Sequence, residues 1–287
     1  MVAAEQKNKL SPVFSLVDEA FVRNRTANYH LSIQAGNDGL SHCVLDIKPN
    51  RYLALESFTF QHIYNSSMLC ETIDELIGKS AVLKNLFKSV TVSLVHERST
   101  LVPSALFEKG LEREYLAFNH AVGPDEDVHV YSLKSLDTRN IFSVKHDIFN
   151  TFKKHFPNAR FNHHSSSLIE ALAGSPGLFV HVQASHFEII FVKGKKLVFY
   201  NSFSHQTSED FIYYLLFTME QLKLSPENTE LRLAGEIEKS SAIYSLLHKY
   251  VRTIRFADRS PAFSYAYGFN DVPRHFYFNL LNQYLCA

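Results

Sequence analysis

The chain has 287 residues, of which 46% are hydrophobic, with 24 phenylalanines and 14 tyrosines, and this composition is typical of a packed globular protein rather than a disordered one. Its 29 basic and 29 acidic residues cancel, so no broad basic field attracts nucleic acid or an anionic membrane surface. Three scattered cysteines without a CxxC motif, a polar start without a signal peptide, and no apolar run of about 18 residues predict a cytoplasmic protein without a membrane span.

The first half of the chain begins with a tail and a three-strand meander. We assign residues 1–19 to an N-terminal tail. Alternating apolar residues at 29–34, 41–47 and 52–58 predict three strands. The residues Asn37-Asp38-Gly39 tolerate positive φ and therefore predict a hairpin between the first two strands.

Helices and strands then alternate up to a glycine-rich break. Apolar spacing predicts a helix at 72–88, a strand at 90–95, a helix at 104–120 interrupted near Gly110, strands at 128–133 and 140–144, a helix at 146–155 and a short strand at 158–161. Ser167 and Glu170 form a capping box that opens a helix at 168–173. Residues 174–177, Gly-Ser-Pro-Gly, end this helix and form the predicted boundary between two lobes.

The second half repeats the order of the first. It contains predicted strands at 178–183, 187–192 and 196–203, a helix at 208–222, a strand at 230–234, a helix at 239–250, a strand at 252–256 and a C-terminal helix at 271–285 capped by Asp271. The aromatic run 263–269 is predicted to be a buried segment leading to that last helix. Three strands, a helix, a strand, a helix and a strand in each half predict an α/β protein with mixed sheets.

The two halves also share a short phrase at matching places. Ser32-Ile33-Gln34-Ala35-Gly36 leads through an apolar stretch to Ser57-Phe58. His181-Val182-Gln183-Ala184-Ser185 leads in the same way to Ser202-Phe203. A three-strand unit that occurs twice indicates an internal duplication and a two-lobed fold with a cleft between the copies.

This duplicated order resembles the actin-like ATPase fold, which is built from two ribonuclease H-like lobes. The chain is similar to the pilus-assembly and cell-division actin-like proteins, and to an uncharacterised bacterial family with this fold. The resemblance implies a first lobe of residues 20–174 together with 271–287, and a second lobe of residues 175–270.

The resemblance also implies where a nucleotide would be bound. In the first hairpin of such proteins an Asp and a Gly-Thr turn hold Mg²⁺ and phosphate, and here the matching residues are Gln34, Gly36 and Asn37. The second hairpin carries Asp-x-Gly in those proteins, whereas this chain has Gln183 and Ser185 at the outer positions. Because Mg²⁺ favours charged oxygen ligands, two glutamines weaken a magnesium site.

A third motif of the superfamily, a strand followed by two glycines, contacts the adenosine. Here Gly235 matches the first glycine and Glu236 replaces the second. Phosphoryl transfer depends on charge neutralisation and positioning. We therefore expect a vestigial cleft, no cofactor, no bound metal and no catalytic residue.

The function that follows is a non-catalytic interaction or scaffold protein, a pseudo-ATPase, with a protein partner, no nucleic acid partner and the possibility of self-association. The alternative is a divergent nucleotide-binding protein or weak ATPase. A nuclease of the ribonuclease H-like type would need an acidic residue for its metals at the position that Gln34 occupies. The sequence therefore disfavours a nuclease as well.

Fifteen histidines raise the hypothesis of a metal site, above all the group His163, His164, His181, His186 and His205. Adjacent histidines point apart on a strand, and His181 and His186 have opposite parity, so they would face opposite sides of one strand. The pattern favours exposed or capping histidines.

Overall fold

A computed structural model describes residues 10–287, and the part of the predicted tail at residues 1–9 lies outside the described residues. The strands are β1 (Phe14–Val17), β2 (Tyr29–Gly36), β3 (Gly39–Asp46), β4 (Arg51–Thr59), β5 (Ser89–Leu94), β6 (Ser99–Pro103), β7 (Glu126–Leu133), β8 (Thr138–Lys145), β9 (Arg160–His163), β10 (Gly177–Val182), β11 (His186–Lys193), β12 (Lys196–Ser204), β13 (Glu230–Gly235), β14 (Thr253–Phe256) and β15 (Ser264–Tyr265). The α-helices are α1 (Ser66–Lys79), α2 (Glu112–Ala117), α3 (His146–His155), α4 (His164–Leu172), α5 (Ser208–Gln221), α6 (Ala242–Tyr250) and α7 (Phe278–Asn282).

Two mixed sheets share an order of five strands, to which the first sheet adds β1 and β15 beside β4. In the first sheet the order is β1-β4-β3-β2-β5-β9, with β15 beside β4, and in the second it is β12-β11-β10-β13-β14. The meanders β2-β3-β4 and β10-β11-β12 are antiparallel, and β5 and β13 pair in parallel with the first strand of each meander. The expected α/β class with mixed sheets is therefore confirmed. A third, antiparallel sheet has the order β6-β8-β7.

Helices or a C-terminal segment cover both faces of each large sheet. On the first sheet, buried Ile73 of α1 and Phe152 of α3 pack on one face, while Leu280 of α7 packs with Tyr52 on the other. On the second sheet, α5 and α6 cover one face and Leu168 of α4 the other. Complete burial of such side chains, at about 1.5–3 kcal/mol each, is the main stabilisation of both layers.

One polar side chain ties the C-terminal segment to the first sheet. The amide Nε2 of Gln283 donates to the carbonyl oxygens of Ile33, at 3.0 Å, and Thr91, at 2.9 Å. These carbonyls belong to the neighbouring parallel strands β2 and β5, and Gln283 is fully buried. The amide thus adds a direct polar contact between the C-terminal segment and two adjacent strands of the first sheet.

The tail prediction is wrong for residues 14–17, because Phe14–Val17 form the edge strand β1, paired antiparallel with β4. The helix expected at 72–88 is also displaced. It begins at Ser66, where Asn65 caps it by accepting a hydrogen bond from the Met68 amide at 2.9 Å, and it ends at Lys79. After it, the Ser80 hydroxyl accepts from the amides of Val82 and Leu83 and turns the chain, so the later apolar residues pack from a loop.

The expected helix at 104–120 is mostly irregular, and only Glu112–Ala117 is α-helical. Strand β6, which precedes it, was not predicted. The C-terminal helix is likewise shorter than expected, since α7 spans only Phe278–Asn282 and residues 267–271 form a 3₁₀ turn. In the aromatic run before it, Phe263 and Phe269 are buried as expected, but Tyr267 is 82% exposed.

The capping box predicted at Ser167 and Glu170 is absent, because the helix begins earlier, at His164. Its cap is His163, whose Nδ1 accepts from the Ser165 amide. Glu170 instead accepts hydrogen bonds from the backbone amides of Lys134 and Ser135, in the turn between β7 and β8. Ser167 lies inside the helix, where its hydroxyl is within hydrogen-bond distance of the His164 carbonyl oxygen and of Asn279 Oδ1 instead of a free backbone amide.

Among residues 10–287, no helix is both long and apolar enough to cross a membrane.

Gly235 allows a sharp test of the second sheet. Its φ is +87°, and a Cβ there would lie 2.1 Å from the Val182 carbonyl oxygen, so Gly235→Ala should lower the free energy of unfolding by roughly 3 kcal/mol or more. Gly78→Ala is the matched control, because a Cβ on this exposed helical glycine meets nothing within 4 Å. It should be neutral or stabilise by up to about 1 kcal/mol. Urea unfolding compares the two, and equal effects would contradict the prediction.

Candidate functional site

A cleft of about 610 Å³ lies where the first hairpins of the two large sheets face each other. Of the seven positions expected from the sequence, six line it: Gln34, Gly36, Asn37, Gln183, Ser185 and Glu236. The seventh, Gly235, is buried beside Val182, where only a glycine fits. A cleft of this volume is large enough for a nucleotide, so its chemistry and not its size decides what can bind.

The two hairpin turns touch each other across the cleft. The Ser185 hydroxyl donates a hydrogen bond to Asp38 Oδ2 at 2.8 Å, although the two residues are 147 positions apart in the chain. Asp38 was considered in the sequence only as a turn residue, and its position next to Gly39 gave no sign of this partner. The contact places a carboxylate between the two turns, where the resemblance to actin-like ATPases would place phosphate.

The charge of the cleft is also unfavourable for a polyphosphate. Its lining includes the carboxylates of Asp38, Glu97 and Glu236. Within the described lining the only lysine or arginine is Arg98, and its guanidinium is bonded to the buried carboxylate of Glu126. Negative groups at short range repel a bound phosphate, and this repulsion is strongest where water is excluded.

The two glutamines at the expected metal positions differ in their surroundings. Gln34 Oε1 is buried and accepts no hydrogen bond from the described residues. The amide Nε2 of Gln183 lies 3.1 Å from His186 Nε2. Because the amide nitrogen can only donate, the imidazole nitrogen accepts this hydrogen bond. Neither side chain supplies the negative charge that a magnesium–phosphate complex requires.

Behind His186 lies a buried group of histidines around Glu188, an acid that the sequence analysis did not connect with the histidines. Glu188 is fully buried, its Oε2 accepts from His181 Nδ1 at 2.8 Å, and its Oε1 contacts His164 Nε2. His186 Nε2 lies 4.0 Å from the same Oε1. The expectation of exposed or capping histidines is therefore wrong for His164 and His181, which are buried, although His163 does cap α4.

The parity argument failed because His181 and His186 lie on different strands. His181 of β10 stands opposite Glu188 of β11 in the antiparallel register, and His186 lies on the same face as Glu188 because it is two residues before it on β11. The available signal was Glu188 itself, an acid in the apolar stretch 187–192 that could be buried only with partners.

His164 connects the two large sheets. It follows β9 of the first sheet directly and begins α4, which packs on the second sheet. Its Nδ1 lies 3.2 Å from the Leu94 carbonyl oxygen at the end of β5, and its Nε2 faces Glu188 on β11. One imidazole therefore makes polar contacts with both sheets.

Burial and charge set the protonation of this group. Burial alone would raise the pKa of Glu188, but His164 and His181 beside it hold that pKa well below its usual value. Burial lowers the pKa of His96 to about 3 and that of His186 to about 4, and it holds the pKa of His163 well below 6.5. His96, His163 and His186 are therefore neutral near pH 7.

Two sheets that share an order of five strands, with a cleft between their first hairpins, define an actin-like ATPase fold. A Bacteroides thetaiotaomicron VPI-5482 protein with actin-like ATPase fold and unknown function superimposes with a TM-score of 0.79 over 93% of this chain and 99% of that one, at 22% identity. The chain belongs to the family described as "Protein of unknown function (DUF3822)", whose model matches residues 18–254.

Two further solved structures are similar in fold. A chain of the PilM–PilN type IV pilus biogenesis complex matches with a TM-score of 0.61 at 12% identity, over 89% of this chain and 98% of that one. The ethanolamine utilization protein EutJ from Carboxydothermus hydrogenoformans matches with a TM-score of 0.52 at 9% identity, over 90% of each chain. No curated protein shows significant sequence similarity to the chain.

The lowered pKa of His96 predicts a pH dependence of stability. Because the unfolded state takes up a proton near pH 6.5 and the folded state does so only near pH 3, acid favours unfolding in the window between these values. Each such histidine lowers the free energy of unfolding by about 1.4 kcal/mol per pH unit there. His96→Asn retains an acceptor for the Arg98 amide and should make the fall between pH 6.5 and 5 shallower, as measured by urea unfolding. An unchanged slope would contradict this assignment.

Proposed function

We propose that this protein is a non-catalytic interaction or scaffold protein, a pseudo-ATPase that keeps the actin-like fold without magnesium–ATP chemistry. The observation that carries the proposal is the hydrogen bond from Ser185 to Asp38, which joins the two hairpin turns through a carboxylate. A triphosphate between these turns would have to break that contact and lie against Asp38.

The residues around this contact support the same function. Gln34 and Gln183 offer neutral amides in place of acids, and the arginine in the lining is engaged by Glu126. Phosphoryl transfer requires that metal and cations neutralise the developing negative charge. The cleft has neutral amides, three carboxylates and an arginine that is already paired with Glu126. These groups do not neutralise the negative charge of a transferred phosphoryl group.

A protein partner is the second part of the proposal. A similar fold occurs in the PilM–PilN type IV pilus biogenesis complex, where it is part of a protein assembly. The balanced charge of the chain gives no reason to expect a nucleic acid partner, and self-association is one form that the partnership can take. We also propose a cytoplasmic location, which the free thiols of Cys43, Cys70 and Cys286 support.

The lobe boundaries are likewise a proposal. The separate hydrophobic clusters of the two large sheets support lobes at residues 20–174 with 271–287 and at residues 175–270. The packing of α7 on β2 and β3 supports the return of the C-terminal segment to the first lobe.

The alternative, a divergent nucleotide-binding protein or weak ATPase, is favoured by one observation. The cleft has room for a nucleotide, and Gly36 and Gly235 keep small residues at two of the positions where such proteins bring backbone near the ligand. In that case Asp38 would act as a metal ligand displaced by a few residues from its usual position.

Thermal unfolding with and without Mg-ATP separates the two functions. A ligand at 100 times its Kd adds about 2.7 kcal/mol to the stability of the native state and raises the midpoint by several degrees. We expect no rise with millimolar Mg-ATP or Mg-ADP, and no phosphate release above buffer.

Two variants make the result decisive if a rise occurs. Asp38→Asn removes the carboxylate that contacts Ser185, and Asp18→Asn is the matched control outside the cleft lining, where the side-chain oxygen can still accept from the Ala20 amide. A saturable rise that persists in the control and disappears in Asp38→Asn would overturn the pseudo-ATPase proposal in favour of the alternative.

A further inference from the structure

The carboxylate of Glu188 is fully buried, and its ion pairs among the described residues are with imidazoles. The buried hydroxyl of Tyr200 also interacts with it electrostatically. A buried carboxylate is expensive unless positive charge and hydrogen bonds compensate it. In most proteins a lysine or an arginine compensates the charge of such a carboxylate. Here His164, His181 and His186 are its partners.

The hydrogen bonds of His164 leave one ring nitrogen facing a second acceptor. Its Nδ1 faces the Leu94 carbonyl oxygen, which can only accept, so this nitrogen carries a proton. Its Nε2 faces Glu188 Oε1, which is also an acceptor. The position between Nε2 and Oε1 therefore holds either a proton or a metal ion.

The surroundings have the organisation of a metal site. The ligand atoms of His164, His186 and Glu188 all lie within 4.8 Å of one another, while a tetrahedral zinc ion holds its ligand atoms about 3.3 Å apart, so small side-chain rotations bring them into range. Metal-binding histidines usually donate their other N–H to a carbonyl or carboxylate, as His164 does to Leu94. His181 similarly donates to the second oxygen of Glu188 and fixes its orientation.

We propose that His164 Nε2, His186 Nε2 and Glu188 Oε1 bind a zinc ion at the inner wall of the cleft, with the fourth position facing the cleft. His186 lines the cleft and its side chain is 13% exposed, which gives the ion a route inward. Two imidazoles and one carboxylate are a ligand set that zinc accepts and that magnesium disfavours.

The electrostatics around the group fit a divalent ion. His186 Nε2 accepts a hydrogen bond from the Gln183 side-chain amide at 3.1 Å, so this nitrogen presents a lone pair that a zinc ion can take over from that hydrogen bond. Asp38 interacts electrostatically with His186, and Glu236 does so with His181. A zinc ion carries one more positive charge than the single proton that it replaces. These two cleft carboxylates attract that additional charge. The same charges that disfavour phosphate thus favour a cation.

Zinc binding can be measured on the untagged full chain after treatment with a chelator. Competition with a chromophoric zinc chelator should give one ion per chain, and Co²⁺ in its place should show the visible absorption of a tetrahedral site. His164 and Glu188 are left intact, because removing either one leaves the other buried without its partner.

His186→Gln is the main variant, since His186 lies at the cleft and shares no close ion pair. It should weaken zinc binding by about 100-fold or more, whereas His181→Asn, which removes a partner of Glu188 but no proposed zinc ligand, should weaken it by about 10-fold to 100-fold. His248→Gln, at an exposed histidine on α6, is the matched control and should leave the affinity unchanged.

Two outcomes would overturn the proposal: no zinc bound by the wild type in the competition assay, or equal zinc affinity for the wild type and His186→Gln. A rise of the unfolding midpoint with zinc, present in His248→Gln and absent in His186→Gln, would support it. The site does not depend on the pseudo-ATPase proposal, because its readout is metal binding and not nucleotide binding.

Discussion

The buried contact between His164 and Glu188 is the interaction on which the relation of the two large sheets depends. Strand β9 ends the first sheet at His163, and helix α4 begins on the next residue and packs on the second sheet. No loop separates them, so the position of one imidazole fixes where the first sheet ends relative to Glu188 on β11. A fully buried carboxylate tolerates little displacement of its partners, which makes this junction stiff.

The order of the strands could be predicted from the sequence because local rules determine it. Alternating apolar residues define each meander, and turn residues such as Asn37 and Asp38 define the hairpins. The repeated phrase then placed Gln34 and Gln183 at equivalent strand ends, and the structure brings both to one cleft. That the repeat arose by duplication remains a prediction, although the equal order of the two sheets is consistent with it.

The chemistry of the cleft could not be predicted in the same way because it depends on contacts between distant residues. The bond from Ser185 to Asp38 joins turns that are 147 residues apart, and the group around Glu188 requires the register of β10 with β11 as well as the junction at His164. Helix α1 shows that apolar spacing alone also misplaces a local element. Its start depends on the cap of Asn65, while the apolar spacing alone favoured a later segment.

The hydrogen bonds of Gln283 have a consequence for the order of folding during synthesis. The carbonyl of Ile33 is made early, but the side chain that bonds to it from the C-terminal segment is translated 250 residues later. One face of the first sheet therefore lacks its covering segment while the whole second sheet is being produced. Contacts of such sequence separation slow folding, and at about 5–20 residues per second the delay lasts roughly ten seconds or more. During that interval apolar side chains of the first sheet, such as those of Leu45 and Tyr52, are without the segment that buries them.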